Sequence, residues 1–163
     1  MMEQVAETIA QVAAPQVRQR VFRTVHDRRA VEEKVKEGFL FADPNITTTN
    51  FRAVVSGGPN TGEAVVVKFG EYVFSEGVVK RLDQMGLRPG LPSELVDLSK
   101  SHPDSTELAV YFPLVALGDS WEGPLGNLLV VYLLGEARSH GLNLHWRGGG
   151  WDEGYSFLAF SRQ

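Results

Sequence analysis

The chain of 163 residues contains no cysteine. That excludes a disulfide framework, a thiolate zinc site and a cysteine nucleophile. It has no excess of basic charge either, since 16 Lys and Arg stand against 20 Asp and Glu for a net charge of −4. Without a global positive field, neither nucleic acid nor an anionic membrane is an expected partner. Long apolar runs are missing too. The longest, Leu128 to Leu134, is seven residues, far short of the ~20 that span a bilayer. Met1 to Glu7 carries no basic segment leading into an apolar stretch, so no signal peptide is expected and a cytoplasmic setting is the default.

What is present is ordinary globular composition, 43% hydrophobic with 17 Gly and 8 Pro, enough for one folded unit with its own core. Val5, Ile9 and Val12 recur at helical spacing. Val17, Val21 and Val25 do so after Pro15, which suits the first turn of a second helix. Val31 and Val35 continue the stripe to Gly38, a plausible stop. Residues 1–42 are therefore expected to form a helical N-terminal arm, and residues 43–163 the domain. Within the domain, Phe51 to Val55 and Ala64 to Phe69 read as strands. Helices are predicted from Ser75 to Met85, stopped by Gly86, and from Pro92 to about His102. Tyr111–Leu117, Asn127–Leu134, Leu142–Trp146 and Tyr155–Phe160 then read as strands between Gly-containing turns. Nine of the 16 aromatic residues and all three Trp fall between Tyr111 and Phe160, which makes the last third the aromatic part of the molecule. The class is α+β, helices first and then an antiparallel sheet.

The order of two short helices followed by Trp- and Gly-rich strands resembles the C-type-lectin-like fold. Gly86-Leu87-Arg88-Pro89 running into Pro92-Ser93-Glu94-Leu95 is similar to the helix-opening signature of the formylglycine-generating-enzyme branch. Trp146-Arg147-Gly148-Gly149-Gly150-Trp151 is similar to that branch's Arg-Gly-Gly-Ser-Trp segment. Val66 to Gly70, Gly86 to Leu95, Pro113 to Trp121 and Tyr155 to Arg162 further resemble a multi-copy family of uncharacterised bacterial proteins; Ser156 and Phe160-Ser161 depart from its pattern. The resemblance implies a fold that hosts enzymes, lectins, adhesins and the variable proteins of diversity-generating retroelements, so function must come from the site. Formylglycine-generating enzymes need a cysteine pair, which is lacking. The iron site of related sulfoxide synthases needs a His triad, whereas His26, His102, His140 and His145 are scattered. Trp151-Asp152-Glu153 is similar to the calcium-lectin triplet, but Glu122 to Asn127 has the second loop's residue types at the wrong spacing. Ser120, Ser139 and Ser156 lie near an acid or a His, and none sits in a nucleophile elbow. No metal and no cofactor is expected.

Alternation in Leu142-Asn143-Leu144-His145-Trp146-Arg147 separates an apolar face (142, 144, 146) from a polar one (143, 145, 147). Asn143, His145 and Arg147, with Arg138, Asp152 and Glu153, are candidate hydrogen-bonding residues, and Trp151 a candidate stacking surface. Trp121 and Trp146 are expected in the core. The expected function is non-catalytic recognition of a protein or glycan through that polar face. The alternatives are a metal-assisted enzyme using Asp152, Glu153 and Glu122, and an assembly protein that forms a homo-oligomer through its N-terminal arm.

Overall fold

A computed structural model describes residues 16–54 and 58–162. The chain is α+β, built on a mixed sheet. Its strands are β1 (Arg18–Val25), β2 (Thr61–Lys68), β3 (Val73–Phe74), β4 (Leu87–Pro89), β5 (Leu114–Glu122), β6 (Leu128–Gly135), β7 (His140–Trp146), β8 (Gly150–Trp151) and β9 (Ser156–Ser161). Its helices are α1 (Val31–Lys34), α2 (Ser75–Gln84), α3 (Pro92–Ser101) and α4 (Thr106–Ala109). The main sheet runs β1-β2-β9-β5-β6-β7, with β4 also pairing β9, and β3 and β8 form a separate ribbon. Neighbours are antiparallel except β5 and β9.

Alternation along each strand feeds two cores, one on each side of the sheet. On one side Leu114, Ala116, Val131, Leu133, Leu142 and Leu158 pack under Leu95, Val96 and Leu98 of α3, with Val31 of α1 and Leu108 of α4. On the other, Val67, Val115, Val130 and Phe157 pack under Val78 and Leu82 of α2 and Val73 and Trp151 of the ribbon. Gly86 ends α2 at φ 76°, a left-handed backbone that glycine adopts without penalty.

The expected helical arm is corrected over its described part. Residues 18–25 form β1, an edge strand paired along its whole length with β2 from Arg18↔Lys68 to Val25↔Thr61. The physical reason lies in the spacing. Four residues is close to one helical turn, but it is also an even number, so Val17, Val21 and Val25 share a strand face equally well. That face is the exposed one; Phe22 and Thr24 point into the core. β-branched Val and Thr favour this extended choice. The boundary at residue 42 therefore does not separate an arm from a domain. Of the arm, only Val31–Lys34 is helical among the described residues, and residues 1–15 lie outside them. Residues 51–54 form no strand, and a short helix, α4, precedes the strands that close the chain. No helix among the described residues is long and apolar enough to cross a membrane.

Candidate functional site

The structure distributes the candidate residues over two ends of β7. Asn143 and His145 face the α2 side of the sheet, as the alternation predicts. His145 is half-buried, with its ring 4.4 Å from that of Trp151 and 5.8 Å from that of Tyr155, and its Nδ1 is 3.0 Å from Trp146 O. Asn143 spends its Oδ1 on the Leu144 amide at 2.8 Å. Arg147 reaches α2, where Nη1 donates to Glu76 Oε1 at 2.9 Å. The backbone amide of Glu76 itself, and after it this guanidinium, hold the Glu76 carboxyl below its ordinary range. Asp152 and Glu153 are exposed, and Asp152 Oδ1 accepts the Gly154 amide, shaping the turn before β9. Arg138 is at the far end of β7, in the β6–β7 turn. The seven residues thus form no single polar platform. Among the described residues no three His, Asp or Glu approach closely enough to hold a metal. Asp119 instead uses its Oδ2 to accept the Ala53 amide.

The two Trp expectations are reversed. Trp151 is fully buried, and its Nε1–H donates to Ser75 Oγ at 2.9 Å, while the Ser75 hydroxyl donates to Arg147 O at 2.6 Å. Trp146 is on the same side of β7 as Leu142 and Leu144, but beyond the edge of their core, and is 53% exposed. Trp121 packs half-buried against that core, as expected.

Trp146 is not the only aromatic ring left in solvent at this end. Tyr72 and Phe74 are also exposed and meet edge to face at 5.4 Å. The Trp146 and Tyr72 rings border the turn Gly148-Gly149-Gly150, and Phe74 stands beside Tyr72 with its backbone paired to Gly150. A methyl group at Gly148 would lie 2.9 Å from the Trp146 indole. One at Gly150, which pairs with Phe74, would overlap the Tyr72 ring. The glycine run is therefore the surface on which the Trp146 and Tyr72 rings lie, because only a backbone without Cβ admits them so closely. Leu128 is also exposed, but Trp146 pairs with Leu129, so alternation turns Leu128 to the opposite face of the sheet with Arg147, away from the Trp146 ring. Phe74 stands on a two-residue strand and Tyr72 just before it, too short a stretch to show periodicity, so the sequence alone carries no signal that would group them with Trp146.

A second concavity, of about 440 Å³, lies between the 26–30 loop and the start of α3. Behind its lining residues Asp27, Ser93 and Asp97, the buried Lys34 ammonium donates to Asp97 Oδ1 at 2.7 Å, Ser93 Oγ at 2.6 Å and Asp27 O at 2.9 Å. Burial pushes the Asp97 carboxyl up, against the pull of Lys34. With its three protons satisfied, Lys34 ties α1 and the loop to α3, and the network reads as structural.

No family model, no curated protein and no solved structure matches this chain.

Proposed function

We propose that the protein is a recognition module whose contact surface is the aromatic patch around the Gly148–Gly150 turn. The supporting observation is the exposure of Trp146, Tyr72 and Phe74 around one glycine turn. A monomeric protein rarely leaves several large rings in water side by side, and Trp and Tyr are the residues that anchor protein interfaces. A protein ligand is favoured over a glycan because the exposed Phe74 carries no hydrogen-bonding group for a sugar hydroxyl. Arg147, Asp152 and Glu153 supply charge near its border. The C-type-lectin-like resemblance belongs to this proposal as its reading of the fold, supported by the order of α2 and α3 followed by β5 to β9. A cytoplasmic setting is part of it too.

The test is selection against a peptide-display library in parallel with a glycan array, followed by Trp146→Ala and Phe74→Ala. Selected ligands should lose at least about 30-fold in affinity with either variant, the effect of removing an interface anchor of about 2 kcal/mol. Glycan binding with the same losses would reassign the ligand class. Binding that ignores both substitutions would place the surface elsewhere.

A further inference from the structure

We propose that Ser99 and His140 form an acyl-transfer centre, acting on a small carboxylic ester, in a cleft at the other end of β7. The cleft, of about 550 Å³, has both residues in its lining together with Phe39, Leu40, Lys100 and Arg138. Ser99 projects from α3, and His140 is the first residue of β7. Ser99 Oγ lies 2.9 Å from His140 Nε2, and His140 Nδ1 lies 3.1 Å from the carbonyl oxygen of Glu136.

That second contact assigns the proton. A carbonyl oxygen only accepts, so Nδ1 carries the ring hydrogen and Nε2 presents a lone pair. The Ser99 hydroxyl is then the donor, aimed at a base whose far side is held by a third group. This is the nucleophile–base–orienter arrangement of serine hydrolysis, with a backbone carbonyl in the orienting place. Phe39 and Phe112 each meet the imidazole edge-on with centroids 5.7 Å away, so the ring cannot swing from the serine without unpacking.

The chemistry balances within the site and water. Ser99 Oγ attacks the ester carbonyl carbon as its proton passes to Nε2. The carbon–oxygen bond to the alcohol then breaks, and His140 returns that proton to the leaving oxygen. Water repeats the sequence on the acyl-serine, with Nε2 taking its proton and Ser99 leaving, to give the acid. Phe39 and Leu40 offer apolar surface for the acyl group. Arg138 makes no hydrogen bond or ion pair among the described residues and stands at the cleft as a cation for the acid product.

The proposal is independent of the aromatic patch. Its test is reaction of the full chain with an alkyl fluorophosphonate, which exchanges its P–F bond for a bond to an activated serine oxygen, followed by peptide mapping. A single adduct on Ser99 is expected. It should be absent in Ser99→Ala, and formed at least about 100-fold more slowly in His140→Ala, the usual contribution of a general base. The wild-type map decides without any variant if His140→Ala does not fold. An unmodified Ser99, an adduct on another serine instead, or wild-type labelling speed in folded His140→Ala would each overturn the proposal and leave the contact as a tether between α3 and the β6–β7 turn.

Discussion

Trp146 and Trp151 are five positions apart and chemically identical, yet one is solvent-exposed and the other fully buried. Alternation places Trp146 on the face of Leu142 and Leu144, and it is there. Alternation is silent on where a core ends along a strand, and this core ends at Leu144. Trp151 was unreadable for a different reason, since its burial depends on Ser75, 76 positions away, receiving its indole N–H. The difference predicts separable stabilities. Trp151→Ala should cost about 3–5 kcal/mol in urea unfolding, as for other large buried rings. Trp146→Ala should stay within about 0.5 kcal/mol of wild type. Equal losses would mean that Trp146 is core. Asp27 gives a pH signature at the same scale. Its carboxylate is bound through both oxygens by Arg29, which lowers its pKa from 3.8 to about 2. A carboxyl depressed in the folded state contributes stability that is complete above its unfolded pKa and lost as pH falls through the folded one. The stability difference between wild type and Asp27→Asn should therefore hold at pH 5 and shrink between pH 4 and pH 2. A difference that stays constant over that window would show the ion pair to be inert, as many exposed pairs are.

Among the elements, those with one clear period were legible. The helices α2 and α3, the glycine that ends α2, and strands β6, β7 and β9 stand within a few residues of where the pattern put them. β1 was not, because its valine spacing satisfies a helix and a strand alike, and only its partner β2 decides. The consequence is testable. β1 is paired along eight residues and places Phe22 between the core and the rings of His102 and Tyr111. Deleting residues 1–27 should therefore unfold the protein, seen as loss of the cooperative thermal transition. A detachable arm would instead leave the transition intact.

At the scale of the molecule, one strand links two different surfaces. β7 ends at Trp146 in the aromatic patch and begins at His140 in the cleft, with a two-sided core between them. The sequence draws attention to the aromatic, glycine-rich last third, in which β7 lies. It leaves both surfaces illegible in detail because each is completed from elsewhere: Phe74 from β3 with Tyr72 just before it, and Ser99 from α3. Such pairings are products of the fold, and no local spacing encodes them. The central claim, recognition through the patch, is tested most directly by the affinity of a display-selected ligand for wild type and for the Phe74→Ala/Trp146→Ala double variant, with thermal stability measured alongside. The prediction is a loss of at least about 30-fold, worth about 2 kcal/mol, with the melting temperature nearly unchanged. An unchanged affinity in the folded double variant would contradict it.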